Sequence, residues 1–239
     1  MRTKAVRMYG KNDLRLEEFE LPQMKEDEVL VKVMSDSICM STYKLVAQGK
    51  KHKRAPQNID TNPVIVGHEC SGIIVEVGEK WTNQFRPGQK FSLQPALNYQ
   101  GKLDSPGYSY EFCGGACTYC IMPHEVMELG CLLDYTGESF FEASLGEPMS
   151  CIIGGYHANY HTNKKNYGHA MGTKEDGNIL IMGGCGPMGL GAVSYGLQFE
   201  NKPRRIVVTD ISDDRIQRAR EVISEESAKK RGIELRYVN

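Results

Sequence analysis

Alternating apolar and polar residues dominate the first part of the chain and predict short β-strands. The pattern predicts strands over residues 4–9, 14–19 and 29–34, with Pro22 and a polar run at 25–28 separating the last two. The alternation in 29–33 indicates a sheet with one buried face. A turn into a further strand follows at 85–91, a glycine-, proline- and tyrosine-rich surface loop at 95–112, and another strand at 116–122.

The pattern changes in the second part of the chain. A helical period covers 138–160, and the polar segment 159–177 is typical of a loose linker. Strands and helices then alternate, with strands at 178–182, 205–210 and 233–238, and helices from about 189 to 200 and over 213–231. Strands that alternate with amphipathic helices predict a parallel sheet. The sequence therefore predicts an α/β protein with two domains, residues 1–150 and 151–239.

An apolar run at 64–66 stops at Gly67 and presents His68 and Glu69 before a strand resumes after Gly72. A rigid sheet can offer an imidazole to a cleft in this way. A histidine beside a strand is nevertheless more often structural than a metal ligand. The metal interpretation requires other ligands to reach His68.

Cys39 upstream and Glu147 downstream are the candidates for such ligands. Taken alone, Cys39 fits a small buried hydrophobic residue. Glu147, just before Pro148, fits an acid that complements a helix dipole. Ser41 fits a simple cap for a helix starting near residue 42.

A glycine-rich motif follows the strand at 178–182. Gly184, Gly186 and Gly189 open a helix, and Asp210 ends the next strand. In a dinucleotide-binding loop the first glycine permits a tight turn, the second lets backbone approach a pyrophosphate and the third packs helix on strand. Asp210 would accept hydrogen bonds from the adenosine ribose and repel a 2′-phosphate. The motif therefore predicts a dinucleotide site that favours NAD over NADP.

Residues 49–54 form the one dense basic run of the sequence. Such a run is usually a solvated loop. It also lies between Cys39 and His68 in the sequence, so Lys51, Lys53 and Arg54 are candidates for an anion-binding edge that suits a phosphorylated small molecule.

Composition narrows the function classes. The 239 residues carry a net charge of −1, which gives no electrostatic case for a nucleic-acid or membrane partner. The N-terminus leads into a strand and not into a signal-peptide core, so the eight cysteines are expected to be reduced thiols in a cytoplasmic protein. Because Cys113 and Cys117 would face one side of the strand at 116–122 and Cys120 the other, we expect no zinc knuckle there.

These motifs together resemble those of the zinc-dependent medium-chain dehydrogenases/reductases, the alcohol and polyol dehydrogenase group. Glu147-Pro148 is similar to the sorbitol dehydrogenases, and the segments 51–63 and 94–96 are closer still to L-sorbose-1-phosphate reductases. The resemblance rests on the following segments of this sequence: Cys39-Met40-Ser41, Gly67-His68-Glu69 with Gly72, Val77-Gly78, Pro87-Gly88, Glu147-Pro148 and residues 184–189.

The resemblance implies a GroES-like β-rich catalytic domain, an incomplete Rossmann domain and one catalytic zinc in the cleft between them. It implies zinc ligation by Cys39, His68 and Glu147, with Glu69 as a neighbouring or transient ligand because adjacent side chains on extended backbone point apart. Ser41 would pass a proton to the substrate oxygen. Residues 89–112 contain no cysteine, so a structural zinc is not expected. The implied cofactor-binding residues are Gly184, Gly186, Pro187, Met188, Gly189, Asp210 and Arg215.

The implied activity is hydride transfer between NAD(H), with NADP(H) as the alternative, and a ketose or polyol. The substrate is expected to be a sugar phosphate such as L-sorbose 1-phosphate. The resemblance also implies that the second half of the Rossmann domain is missing and that the complete protein forms homo-oligomers. Two alternatives stay open: a zinc-free quinone or enone reductase of the same superfamily, and a non-catalytic nucleotide-binding fragment.

Overall fold

The structure, a computed structural model, describes residues 1–163, 165–166 and 168–239. These residues divide into two compact units, Met1–Glu147 and Pro148–Asn239. Each unit has its own cluster of buried apolar side chains.

The first unit is built from two antiparallel sheets. One has the strand order β2-β1-β4 and the other the order β7-β3-β5-β6-β8. The strands are Arg2–Gly10 (β1), Asp13–Glu20 (β2), Val29–Asp36 (β3), Val64–Ile65 (β4), Cys70–Val77 (β5), Lys90–Leu93 (β6), Tyr119–Met122 (β7) and Leu132–Asp134 (β8). The three strands predicted for the start of the chain are confirmed.

Strand β3 shows how the alternation positions the core. Val29 and Val31 lie in the main cluster of the unit, together with Phe91. Leu30 points to the other face and joins a smaller cluster around Leu21. Both faces of β3 are therefore covered at its start, where the sequence predicted a single buried face.

Short helices connect the strands of this unit. They are Met40–Gln48 (α1), His124–Glu128 (α2) and Phe140–Ser144 (α3), and Gly146–Ala158 (α4) follows them. The helical pattern predicted over 138–160 is therefore two helices. Ser139 caps the start of α3 by accepting a hydrogen bond from the amide of Glu142, and α3 ends at residue 144.

The predicted surface loop at 95–112 is only partly on the surface. Residues 105–108 are buried. The Ser105 hydroxyl donates to the carbonyl of Pro95 at 2.8 Å, and the amide of Gly107 donates to the carbonyl of Cys113 at 3.0 Å. These internal hydrogen bonds satisfy polar groups in the buried segment.

The second unit contains a three-stranded parallel sheet in the order β11-β12-β13. The strands are Asn178–Met182 (β11), Arg205–Thr209 (β12) and Glu234–Val238 (β13), and the helices are Pro187–Gly196 (α5), Asp213–Val222 (α6) and Glu225–Lys229 (α7). The predicted alternation of strands and helices is confirmed. The single helix predicted over 213–231 is two helices, because Ile223 is extended and Ser224 caps α7.

The segment 159–177, expected to be a loose linker, contains a two-stranded antiparallel hairpin. Its strands are Tyr160–Asn163 (β9) and Gly168–Met171 (β10), and His169 pairs with Thr162 in their register. β-branched and aromatic residues such as Thr162 and Tyr160 favour an extended backbone.

The thiols of Cys113, Cys117 and Cys120 do not form a group of metal ligands within the residues that the structure describes. The Cys113 thiol donates to Met122 Sδ at 3.7 Å, and the Cys117 thiol donates to the carbonyl of Gly114 at 3.1 Å. The strand begins only at Tyr119, so the alternation of faces does not apply to Cys113 and Cys117, which precede it. The absence of a structural zinc stays a prediction.

Within the ranges that the structure describes, no helix combines the length and the apolar character that a bilayer span requires.

Candidate active site

Two irregular segments at the ends of paired strands carry Cys39 and His68. Asp36, the last residue of β3, lies opposite Cys70, the first residue of β5. Cys39 follows β3 as the N-cap of α1, and His68 precedes β5. The antiparallel pairing of β3 with β5 therefore brings Cys39 and His68, which are far apart in the sequence, to the same end of the sheet.

Cys39, His68 and Glu69 form a compact group of potential metal ligands. One donor atom from each lies within 4.8 Å of the other two, and His68 and Glu69 are buried. Zinc in proteins accepts thiolate, imidazole and carboxylate ligands at about 2.0–2.3 Å, and three protein ligands with one open position are typical of catalytic zinc. The donor set and its spacing fit this ion.

The position of Glu69 corrects our expectation that its side chain would point away from that of His68. Residues 66–69 lie between two strands and are not part of either, so the alternation of faces does not apply to them. Gly67 has a φ of +88°, which turns the backbone just before His68. This conformation is strained for residues with a Cβ atom.

Glu147 is not part of this group of ligand atoms. It lies in the first turn of α4, and its charge contributes to raising the pKa of Tyr108 after the larger effect of burial. Ligation by Glu147 stays a prediction, whereas Glu69 lies in the group of potential ligands.

Polar groups behind Glu69 hold it in place. Its amide donates to Asp36 Oδ1 at 3.0 Å, and its carboxylate accepts a hydrogen bond from the Ser37 hydroxyl. Burial raises the pKa of Asp36 to about 7. A carboxylate fixed by two neighbours is preorganised for a metal, as is common around metal sites.

Ser41 lies against two of the ligand atoms. Its hydroxyl is 2.9 Å from Cys39 Sγ and 3.2 Å from His68 Nε2. Burial raises the pKa of Cys39, and the hydrogen bond from Ser41 opposes this effect. A neutral thiol must lose its proton when it binds zinc, so metal binding at this site is expected to release a proton.

Tyr108 is a site residue that sequence reasoning missed. Its hydroxyl donates to Ser41 Oγ at 2.7 Å and lies 3.3 Å from His68 Nε2. The residue comes from the segment expected to be surface loop, and the packing of Gly107 on the backbone of Gly67 holds it inside. Nothing in the local pattern distinguishes Tyr108 from its neighbours Tyr99 and Tyr110.

Two residues of the basic run, His52 and Arg54, lie against the ring of Tyr108. The guanidinium of Arg54 lies 5.2 Å from the centre of the Tyr108 ring, whereas Lys51 and Lys53 are exposed. Burial lowers the pKa of His68, and the charge of Arg54 lowers it further against the opposing effect of Glu69.

In the second unit, the glycine loop joins β11 to α5. The left-handed backbone of the turn is at Gly183, with a φ of +62°, and not at Gly184, where we placed it. A Cβ atom at Gly184 would meet Ile181 and Val208, and one at Gly189 would meet the backbone of Gly184. At Gly186 a Cβ atom would meet nothing within 4 Å, so there is open space on the Cβ side of this residue.

Asp210 lies beside this loop at the end of β12. Its Oδ2 accepts a hydrogen bond from the amide of Cys185 at 3.3 Å, and its Oδ1 accepts one from the amide of Ser212 at 3.2 Å. Pro187 and Met188 begin α5 with exposed side chains, and exposed Arg215 lies in the first turn of α6. The predicted dinucleotide residues are thus gathered around one loop.

Comparisons with known proteins agree with this geometry. Residues 25–132 match the profile of the alcohol dehydrogenase GroES-like domain. The chain is 52% identical over 237 residues to mannitol-1-phosphate 5-dehydrogenase of Aliivibrio fischeri and 46% identical over 218 residues to L-sorbose 1-phosphate reductase of Klebsiella pneumoniae. It is 49% identical over 239 residues to "Uncharacterized protein YggP" of Escherichia coli.

The chain resembles the zinc-type medium-chain dehydrogenases/reductases, and residues 25–132 carry the GroES-like domain of alcohol dehydrogenases. The three alignments cover 100%, 99% and 91% of this chain, and 56%, 56% and 53% of the Escherichia, Aliivibrio and Klebsiella proteins. The chain therefore spans about half the length of the curated relatives it matches.

Solved structures of the family share the fold. The chain superimposes on 2R,3R-butanediol dehydrogenase from Bacillus subtilis with a TM-score of 0.71 at 24% identity, covering 99% of this chain and 62% of that one. An alcohol dehydrogenase from Thermotoga maritima gives a TM-score of 0.68 at 18% identity, covering 99% and 63%. The first unit corresponds to the GroES-like part of the family fold, and the parallel sheet of the second unit to part of a Rossmann domain.

Proposed function

We propose that the complete protein is a zinc-dependent oxidoreductase that transfers hydride between a nicotinamide cofactor and a ketose or polyol. The observation that carries the proposal is the group formed by Cys39, His68 and Glu69, with the Ser41 hydroxyl against it. Zinc-free enone reductases of the superfamily lack such a ligand set, which is why we favour the zinc-dependent activity.

Cys39, His68 and Glu69 would hold the zinc, in place of the Cys39, His68 and Glu147 set that the sequence suggested. When bound, zinc supplies a Lewis acid that polarises a carbonyl oxygen. Glu147 remains near enough to influence Tyr108 electrostatically, so its charge belongs to the surroundings of the site.

Ser41 and Tyr108 would manage the proton that accompanies hydride transfer. The Tyr108 hydroxyl donates a hydrogen bond to Ser41 Oγ. The Ser41 hydroxyl can therefore donate its own proton to another acceptor. In carbonyl reduction Ser41 would give its proton to the substrate oxygen and regain one through its hydrogen-bond partner. Proton transfer by a positioned hydroxyl lowers the barrier of such a step.

The glycine loop would bind the dinucleotide. Gly186 is the N-cap of α5 and has open space on its Cβ side, and a helix N-terminus favours a pyrophosphate. Asp210 would accept hydrogen bonds from the ribose hydroxyls, and its charge disfavours a 2′-phosphate, so NAD(H) is preferred over NADP(H).

We propose a sugar phosphate as the substrate, with L-sorbose 1-phosphate as the first candidate and mannitol 1-phosphate as the second. The support is that two relatives, those of Aliivibrio fischeri and Klebsiella pneumoniae, act on such compounds by their printed names, and that a basic run borders the site. A cytoplasmic location and a homo-oligomeric assembly stay predictions.

Metal analysis tests the proposal most directly. We expect about one zinc per chain in the wild-type protein and almost none in Cys39→Ser and His68→Ala, because three ligands are needed for tight binding. Cys151→Ser, which changes an exposed thiol, is the matched control and should keep its zinc.

NADH oxidation with L-sorbose 1-phosphate should follow the zinc content of these variants. Full turnover in protein stripped of zinc would contradict the proposal and favour a zinc-free reductase. Binding of NADH without turnover by the zinc-loaded chain, in a form extended to the length of its relatives, would favour a nucleotide-binding module.

A further inference from the structure

We propose that Arg54, supported by the ring of Tyr108, is the specificity-determining residue that binds the phosphate group of the substrate. This inference rests on the proposed function and deepens it. It replaces the broader sequence prediction, in which Lys51, Lys53 and Arg54 act together, with one residue.

The surroundings of the basic residues distinguish Arg54 from the lysines. Lys50 is neutralised by an ion pair with Asp60, with 2.8 Å between Lys50 Nζ and Asp60 Oδ1. Lys51 and Lys53 are exposed, and the charge of a solvated lysine contributes little to binding. Arg54 is partly buried, and no carboxylate of the described residues forms an ion pair with it. The guanidinium of Arg54 therefore has no carboxylate partner among the described residues, and an anionic ligand could take that place.

The ring of Tyr108 connects Arg54 to the metal-binding group. The ring centre lies 5.2 Å from Arg54 Cζ and 4.8 Å from the centre of the His68 ring. Arg54 therefore lies no further from His68 than these two distances together. In L-sorbose 1-phosphate the phosphate is carried by C1, next to the ketone carbon C2, so a ketone placed near the metal ligands brings its phosphate into the space around Tyr108 and Arg54.

The backbone of Arg54 is fixed by its neighbours. Its carbonyl accepts a hydrogen bond from the Ser109 hydroxyl at 2.8 Å, and its amide donates to His52 Nδ1 at 3.3 Å. The His52 ring in turn stacks on Tyr108, with 5.6 Å between centroids and 15° between planes. A guanidinium held over an aromatic ring by a fixed backbone loses less conformational entropy on binding than a free side chain does.

The geometry of the guanidinium suits a phosphate better than an ammonium group would. Its planar fork can donate two parallel hydrogen bonds to phosphate oxygens, whereas lysine acts as a point charge. The hydroxyl groups of an unphosphorylated sugar offer no charge to Arg54. Arg54 should therefore separate phosphorylated from unphosphorylated substrates.

Calorimetric titration of the zinc-loaded chain tests the inference without relying on turnover. The probes are inorganic phosphate, L-sorbose 1-phosphate and L-sorbose. We expect Arg54→Gln to weaken binding of both phosphate compounds by about 10-fold or more and the exposed-residue control Lys53→Gln to change it by about 2-fold or less. Binding of L-sorbose should be the same in all three proteins.

Substitutions of similar shape separate recognition from folding. Arg54→Lys keeps the charge without the fork and should show an intermediate loss. Tyr108→Phe keeps the ring and should bind phosphate like the wild type, whereas Tyr108→Leu removes the platform and should resemble Arg54→Gln. Circular dichroism establishes that each variant is folded before its titration.

Three results would overturn the inference. They are an absence of phosphate binding in the wild type, equal losses in Arg54→Gln and Lys53→Gln, and a failure of L-sorbose 1-phosphate to compete with inorganic phosphate. These outcomes are measured as binding and do not depend on NADH oxidation. The phosphate assignment and the proposed oxidoreductase activity can therefore fail separately.

Discussion

At the scale of single residues, some side chains of the site could be identified from the sequence, whereas others join the site only through the surrounding fold. Cys39 and His68 were candidates from the sequence, and the structure brings their donor atoms together. Glu69 moves from a neighbouring role to the group itself because its backbone is not extended. Tyr108 belongs to the site only because residues 105–108 are buried, and no local sequence pattern predicted this burial.

The choice between Glu69 and Glu147 as third ligand gives a prediction at this scale. Glu69→Gln should raise the zinc dissociation constant by about 100-fold or more, because an amide is a poor substitute for a charged ligand. Glu147→Gln should raise it by about 10-fold or less, as expected for a group outside the ligand set. Competition with a chromogenic chelator measures both constants. The reverse order would restore Glu147 as the ligand.

At the scale of elements, the pairing of β3 with β5 and the turn at Gly67 position the site. Most strands of both units followed from alternation and from the spacing of glycines and prolines, but β8 was not predicted. The division of the predicted helix at 213–231 did not, since it depends on an extended conformation at Ile223 and a cap at Ser224. The hairpin of β9 and β10 was also missed, because polar strands with both faces exposed lack a hydrophobic period.

Gly67 provides the test at the scale of elements. An alanine at position 67 would have to adopt a left-handed backbone, and its Cβ atom would also collide with Asp36 and the amide of Ala116. Gly88 has a similar φ, +84°, but nothing within 4 Å, so Gly88→Ala is a matched control. We expect Gly88→Ala to cost about 1 kcal/mol of unfolding free energy and Gly67→Ala about 3 kcal/mol or more.

Urea unfolding monitored by circular dichroism measures these two costs. Gly67→Ala should also lower the zinc content, because the strain is relieved by moving His68 and Glu69. Equal costs for the two variants would mean that the collision is avoided without disturbing the site.

At the scale of the whole molecule, two units with separate cores carry the chemistry. The metal-binding group belongs to Met1–Glu147, and the glycine loop belongs to Pro148–Asn239. Buried tyrosines contribute to the second core. The hydroxyl of Tyr156 donates to the carbonyl of Ala192 at 2.7 Å, and burial raises the pKa of Tyr156 to about 12.

This shift predicts the behaviour of the second unit at high pH. Tyrosine in the unfolded chain loses its proton near pH 10, whereas folded Tyr156 keeps it up to about pH 12. The folded state therefore binds more protons in this window, and its stability must fall as the pH rises from about 10 to 12. We expect a loss of about 1–2 kcal/mol from this residue.

Tyr156→Phe should remove that part of the pH dependence while costing about 1 kcal/mol at pH 8 through the lost hydrogen bond. Tyr160→Phe, at an exposed tyrosine, should leave the pH dependence unchanged. Urea titrations at pH 8, 10 and 11.5 measure it. An unaltered pH dependence in Tyr156→Phe would show that other groups control alkaline unfolding.

The sequence by itself determined the α/β class, most of the strands, the glycine loop with Asp210, and two of the three candidate metal ligands. Some of these features depend on local periodicity. The others depend on combinations of residue types that few structural roles require. Only the tertiary structure decided that Glu69 joins Cys39 and His68, that Tyr108 contacts Ser41 and that Arg54 rather than Lys53 reaches the site. Those contacts join residues between 1 and 67 positions apart, so backbone turns and burial, and not spacing, determine them.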